Sequence, residues 1–309
     1  MNQQRTIGNK VSCSGIGLHS GSQVNMVIYP ALAGTGIVFK RMDVPAEQAL
    51  VPARYDAVCD TRLGTTIRNH HGVSVSTIEH LMAALWGVGI DNAMVELDGP
   101  EVPIMDGSSE PFVFMLECAG QVKLGVARKM LRVLKTVEVK EGESTASVSP
   151  NQEGDEGCAI SIEIEYNNAV ISRQSSHYDF RDVTFKQSLS RARTFGFEHE
   201  VAALRDMGLA LGGSLENAIV VGKEKILNED GLRYVDEFVR HKALDCVGDL
   251  YLAGLHIDGH FNFLRPGHGI NNKLLRALLA DKSAFTIVDM DVSALLAVPA
   301  AAMAQAAYV

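Results

Sequence analysis

The stretch Glu237-Phe238-Val239-Arg240-His241-Lys242-Ala243-Leu244-Asp245-Cys246-Val247-Gly248-Asp249 constrains this chain more than any other. Its apolar residues recur at helical spacing and predict a helix from about Tyr234 to Leu252. Residues four apart share a helix face, so His241, Asp245 and Asp249 form one polar stripe. Around that stripe stand Val235, Val239, Ala243, Cys246, Val247, Leu250 and Tyr251, which predicts a helix buried over most of its circumference. An imidazole and two carboxylates on such a helix need partners, because an unpaired buried charge is very costly. A divalent cation satisfies that need and so does a salt-bridge network; the helix alone does not separate the two.

The chain has 309 residues, enough for two domains with separate cores. An apolar fraction of 47% and a charged fraction of 21% are ordinary for a soluble globular protein. A formal net charge of -9 argues against broad binding to nucleic-acid phosphates, though an anionic small molecule needs only a few local cations. The five cysteines are scattered with no CxxC pair, so neither a disulfide framework nor a Cys-rich zinc site is suggested. Met-Asn-Gln-Gln-Arg-Thr is no signal peptide, and no apolar run is long enough to span a bilayer. The expectation is a soluble, cytoplasmic protein.

Before about residue 75 the pattern is strands and turns: Val24–Tyr29, Gly36–Lys40, then a hairpin of Thr65–Arg68 and Val73–Val75 around Asn69-His70-His71-Gly72. The adjacent histidines on that turn read as solvent-exposed. A helix follows over Thr77–Trp86, with Ser76 and Glu79 spaced as a capping box. Strand Asn92–Leu97 and helix Glu110–Ala119 close the first set. Near Gln121–Ala127 the pattern resets. Strands Met130–Val139 and Cys158–Tyr166, helix Glu198–Met207, strand Asn217–Val221, the Tyr234–Leu252 helix, strand Phe261–Leu264, helix Asn271–Ala280 and strand Phe285–Val288 complete it. The second half repeats the grammar of the first. This predicts an α+β protein of two similar domains, residues 1–126 and 127–295, each packing helices on mainly antiparallel sheet. No G-x-G-x-x-G joins a strand to a helix, which argues against a Rossmann unit. Residues 296–309 are an Ala-rich tail: either a frayed end or a handle for a quality-control protease.

Metal ligands converge from distant segments, so the other histidines matter. His19, His80, His260 and His268 have suggestive settings. His80 follows Glu79, and a carboxylate beside a ligand can serve as base toward water, although HExxH itself is absent. Glu79 can equally be a helix cap.

The motifs Gly-Ile-Gly-Leu-His19-Ser-Gly, Val-Cys-Asp60-Thr61, Ser-Thr-Ile-Glu79-His80-Leu-Met-Ala-Ala-Leu, Pro103-Ile-Met-Asp106-Gly-Ser-Ser, Ala192-Arg-Thr194-Phe195-Gly-Phe, Leu-Gly-Gly-Ser214 and Asn228-Glu-Asp-Gly-Leu-Arg occur in that order. Glu237-Phe-Val-Arg-His241-Lys242-Ala-Leu-Asp245-Cys-Val-Gly-Asp249-Leu and Gly267-His268-Gly-Ile-Asn271-Asn272 complete the set. Each is weak alone, but the ordered set is specific. It resembles the UDP-3-O-acyl-N-acetylglucosamine deacetylase family, the zinc amidases of lipid A synthesis in Gram-negative bacteria.

The resemblance implies hydrolysis of the N-acetyl group of UDP-3-O-(3-hydroxyacyl)-N-acetylglucosamine, the committed step of lipid A synthesis. It implies that His80, His241 and Asp245 bind Zn2+, with Glu79 as general base. His268 would protonate the leaving amine or steady the charged intermediate, with Asp249 behind it, and Thr194 would donate to the oxyanion. Lys242, Phe195 and Arg205 would meet the sugar nucleotide, and His19 is a candidate substrate contact. A β-α-β insert at about 197–222 would hold the acyl chain. Physical reasons stand beside these roles. Three protein ligands leave a fourth position for water, whose pKa zinc lowers to about 7. A base must take the proton, and donors to an oxyanion contribute about 3 kcal/mol each.

The chain departs from the pattern at Arg62-Leu63-Gly64, where some members of the family carry a cysteine near the metal. Cys246 points about 100° from the stripe and reads as a small buried residue. Asp60 and Thr61 read as structural. Two rivals remain at this stage: a non-heme iron oxygenase, since two histidines and a carboxylate also make a facial triad, and a non-catalytic sugar-nucleotide binder with a structural metal. Fe2+ fits the same donors as Zn2+.

Overall fold

The computed structural model describes residues 3–152 and 155–290. In the first half, five strands lie side by side in the order Val11–Ile16, Gln23–Pro30, Ala93–Leu97, Ile37–Arg41 and Leu50–Pro52. All pairs are antiparallel except Ile37–Arg41 against Ala93–Leu97. Alternation along Gln23–Pro30 sends Val24, Met26 and Ile28 inward. They share a core with Leu81 and Leu85 of helix α1 (Glu79–Val88) and Phe112 and Leu116 of helix α2 (Glu110–Ala119). Gly89 ends α1 in the left-handed conformation, φ 81°, and its N–H caps the last carbonyls. Strand Gln3–Ile7 pairs with Gln121–Ala127, returning the chain to its start before it enters the second sheet.

In the second half the hub is the long strand His256–Leu264. It runs parallel to Lys129–Val133 and Cys158–Glu165 and antiparallel to Ser144–Ser149. Arg173–Asp179 borders Cys158–Glu165, and Phe285–Asp289 borders Lys129–Val133. Short helices α3 (Phe185–Ser188) and α4 (Val201–Asp206) precede the long helices α5 (Glu237–Leu250) and α6 (His268–Ala280). Strands Phe195–Phe197 and Ile219–Val221 pair in parallel around α4, which makes the expected β-α-β insert. The molecule is α+β, with helices packed on mostly antiparallel sheets. Helix α5 packs against both α1 and α6, so it is the spine between the two halves.

Three expectations need correction. The α5 helix begins at Glu237, not Tyr234, and Val235 is 96% exposed rather than part of the apolar face. The predicted single strand 130–139 is two, Lys129–Val133 and Val137–Glu141, because each pairs with different neighbours. The Ser76–Glu79 capping box does not form: α1 starts after Ile78 without a side-chain cap, and Ser76 Oγ accepts from Thr66 instead. The C-terminal tail, and with it the protease handle, lies outside the described residues.

The junction of the halves holds a titratable group. His256 sits between Trp86 of α1 and Tyr251, each ring centroid 5.4 Å away, and its Nε2 is buried without a partner among the described residues. Burial, aided by the charge of Arg128, holds its pKa down to about 3. The unfolded chain takes up this proton near pH 6.5 and the folded one does not, so stability is lost as pH falls from about 6.5 toward 3. By pH 5 the loss is on the order of 1–2 kcal/mol. His256→Phe is therefore expected to narrow the gap between the Tm values at pH 8 and pH 5. A gap equal to that of the wild type would refute this.

Candidate active site and metal centre

Helix α1 begins at the surface where α5 crosses it. Its first two residues, Glu79 and His80, are 3% and 4% exposed and face His241 and Asp245, which are 1% and 4% exposed. The metal-facing atoms of His80, His241 and Asp245 lie within 4.8 Å of one another, the one such cluster among the described residues. Nε2 of His80 and Nε2 of His241 stand 3.6 and 3.3 Å from Asp245 Oδ1.

The donor set fits a cation. Nδ1 of His241 donates to the Ala192 carbonyl at 3.0 Å, so its Nε2 presents a lone pair. Burial lowers the His241 pKa to about 3, keeping the ring neutral. Asp245 Oδ2 accepts from Lys242 Nζ at 2.9 Å, while Oδ1 is buried with no hydrogen-bond partner among the described residues. Burial alone would raise the Asp245 pKa, but the Lys242 ammonium beside it holds it well below the usual carboxylate range. Nδ1 of His80 has no partner among the described residues. An orphaned carboxylate oxygen facing two imidazole nitrogens is what a divalent cation completes.

Beside the cluster, Glu79 Oε2 accepts the Thr65 N–H at 2.9 Å, and Oε1 lies 3.9 Å from His268 Nε2. Glu79 thus takes a loop amide rather than capping its own helix. Burial raises its pKa, opposed by His268 and His80. His268 opens α6 and places Nδ1 2.8 Å from Asp249 Oδ2. Burial would lower its pKa, but the charges of Asp249 and Glu79 raise it to about 9, so the ring carries a proton at neutral pH. Asp249 also accepts from Thr65 Oγ1 at 2.6 Å and Asn271 Nδ2 at 2.9 Å.

A cavity of about 940 Å³ opens from this centre into the insert. Thr194, Phe195, Lys242, His19 and Arg205 all line it. The Thr194 backbone is fixed on both sides, its N–H on Gly107 O and its carbonyl on the Ile219 N–H, both at 2.8 Å. Gly107 has φ 83°, and a Cβ there would lie 2.1 Å from Asn217 O, so only glycine permits this approach. Lys242 Nζ sits 5.7 Å over the Phe195 ring. The side chain of Arg205, on the exposed α4, donates to Gly213 O at 3.4 Å. Nε2 of His19 lies 3.3 Å from Leu63 O, and its Nδ1 accepts the Ala210 N–H at 3.4 Å, so it bridges a first-half loop to the insert. Asp60 pairs with Arg62, and Cys246 is buried in the apolar core, with a 3.8 Å polar contact from its Sγ to Asn271 Oδ1.

The profile of the UDP-3-O-acyl N-acetylglycosamine deacetylase (LpxC) family matches residues 4–280. The chain belongs to this family. It is 47% identical over 290 residues to the UDP-3-O-acyl-N-acetylglucosamine deacetylase of Shewanella frigidimarina, 93% of each chain. Proteins of the same description from Pasteurella multocida and Acidithiobacillus ferrooxidans are 46% and 48% identical over 94% of each chain. The chain is therefore a deacetylase, a hydrolase of carbon–nitrogen bonds in amides. Among its described residues no helix is long and apolar enough to cross a membrane.

Sequence reasoning passed over three features of the site. Thr65 contacts both Glu79 and Asp249. Asn271 holds Asp249 from α6. Buried Glu237, with Arg193 paired at 2.9 Å, anchors the first turn of α5. The last had a signal, a glutamate opening an apolar helix; the other two had none that was local.

Proposed function

We propose that this protein is a zinc-dependent enzyme that hydrolyses the N-acetyl group of UDP-3-O-(3-hydroxyacyl)-N-acetylglucosamine. The products are acetate and UDP-3-O-(3-hydroxyacyl)-glucosamine, in the synthesis of lipid A in the cytoplasm. The observation that carries the reading is the meeting of the His80–His241–Asp245 cluster with Glu79 and the His268–Asp249 pair at the mouth of a cavity large enough for an acyl chain. The proposed organisation is two domains, 1–126 and 127–295, joined where α1 meets α5.

His80, His241 and Asp245 would hold the cation, which when bound supplies a Lewis acid for the amide carbonyl and an acidified water. Glu79 accepts the proton of the attacking water through Oε1, while Oε2 stays fixed on Thr65. Thr194 offers its hydroxyl to the oxygen that gains charge. His268, protonated on the side facing Glu79 and held by Asp249 behind, gives a proton to the departing amine; an amine cannot leave as an anion. Lys242 and Phe195 present a cation and an apolar face to the sugar. Arg205, which also lines the cavity, meets the sugar nucleotide, and His19 is a further substrate contact. The same donors accept Fe2+, so the ion in the cell follows supply as well as affinity.

The test is acetate release from this substrate by protein stripped with a chelator, then reloaded. Stripping is expected to abolish turnover, and one equivalent of Zn2+ to restore it. Full activity in the metal-free protein would overturn the proposal.

A further inference from the structure

We infer that Thr65 is a positioning residue that sets the spacing of the acid–base pair, holding Glu79 with its backbone and Asp249 with its side chain. The inference rests on the roles proposed above for Glu79, Asp249 and His268. Thr65 is 2% exposed and lies just before strand Thr66–Arg68, so its backbone is anchored by the hairpin. Its carbonyl accepts the Ile78 N–H, its N–H goes to Glu79 Oε2, and its hydroxyl goes to Asp249 Oδ1. One residue of the first half therefore touches the base directly and the acid through its orienting carboxylate.

The division of oxygens gives the arrangement its meaning. Each carboxylate has one oxygen turned to Thr65 and the other toward the reaction. Glu79 keeps Oε1 for the 3.9 Å gap facing His268 Nε2. Asp249 keeps Oδ2 for His268 Nδ1 and Asn271 Nδ2, and the Thr65 hydroxyl is the one hydrogen bond to Oδ1 among the described residues. Without it the carboxylate is held at Oδ2 alone and can tilt about χ2, and the imidazole's direction is less tightly fixed. The residue before Thr65 fits the same purpose. A Cβ at Gly64 would lie 3.0 Å from Glu79 Oε1, so glycine lets the loop approach the base without pushing it.

The experiment compares Thr65→Val, which keeps shape and the backbone bond but removes the hydroxyl, with Thr65→Ser, which restores it. Both are measured alone and in an Asp249→Asn background, with metal content checked. For Thr65→Val, kcat should fall about 10- to 100-fold with KM within about twofold, and Thr65→Ser should bring it back to within about threefold of wild type. In the Asp249→Asn background, Thr65→Val should cost little more, because residues acting through one another are not additive. A valine variant with wild-type kcat, or losses that simply multiply, would overturn the inference. An Asp249→Asn enzyme with unchanged kcat would instead overturn the proposed relay on which it stands. Should the valine variant not fold, Thr65→Cys, a weak donor of similar size, replaces it against serine, and equal rates would be the refuting result.

Discussion

Glu79→Gln is expected to lower kcat by about 10²- to 10⁴-fold while leaving the protein folded and its metal content unchanged. The glutamine amide matches the carboxylate in shape, and its oxygen can still accept the Thr65 N–H that Glu79 Oε2 accepts at 2.9 Å. What is lost is the ability to take a proton. The substrate contacts proposed above run through Thr194, Phe195 and Lys242, which line the cavity, and not through Glu79, so KM should move by only a few-fold. Stability should hold or rise. Burial disfavours the charged form of Glu79, as its raised pKa shows, so the fold carries this carboxylate at a cost that the amide removes. Steady-state kinetics, thermal melting and elemental analysis on one preparation decide the matter. A rate within threefold of wild type would sink the assignment, and a rate loss accompanied by metal loss would make Glu79 a structural support.

The contrast between Glu79 and its neighbours shows which parts of the site could be read from the chain. The His241–Asp245–Asp249 stripe was legible because it obeys a local rule, the four-residue spacing of a helix face. The hairpin around His70 and His71 was legible from turn chemistry, and both histidines are exposed. The capping box failed although its spacing was right. The carboxylate of Glu79 gains more from the Thr65 amide, brought by another loop, than from its own helix end. Spacing along the chain cannot weigh one partner against another that arrives through space. Thr65 was hidden for the same reason: nothing about a threonine beside a strand announces that Asp249, on α5, will come within 2.6 Å. Val235 erred in the opposite direction. It continued an apolar periodicity past the point where buried Glu237, bonded to Arg193 and the Arg233 N–H, fixes the first turn of α5. The setting of His80 beside Glu79 made it one of four candidate histidines, the resemblance singled it out, and its geometry depends on how α1 crosses α5.

That crossing is set by one atom that is absent. A Cβ at Gly248 would lie 2.0 Å from the carbonyl oxygen of Glu79 and 2.8 Å from its carbonyl carbon, so the helices touch backbone to side-chain-free backbone there. A glycine inside a helix costs about 1 kcal/mol relative to alanine, and in α5 it returns the close approach of two half-sites. His80 and Glu79 ride on α1; His241 and Asp245 ride on α5, with Asp245 one turn before the glycine. Gly248→Ala must push the helices apart by about 1.5 Å to reach ordinary contact, since neither backbone can yield as a side chain would. The ligand atoms, now within 4.8 Å of one another, then separate with the helices. Three losses are expected together: a lower Tm from an overpacked junction costing about 1–3 kcal/mol, weaker metal retention on dialysis, and a kcat reduced on the order of 10²-fold even when metal is supplied in excess. Alanine is the better helix former, so intrinsic propensity predicts a gain in stability, and the sign of the Tm change separates the two accounts. A Gly248→Ala protein as stable, as metal-retentive and as active as wild type would show that the α1–α5 contact does not set the geometry of the site.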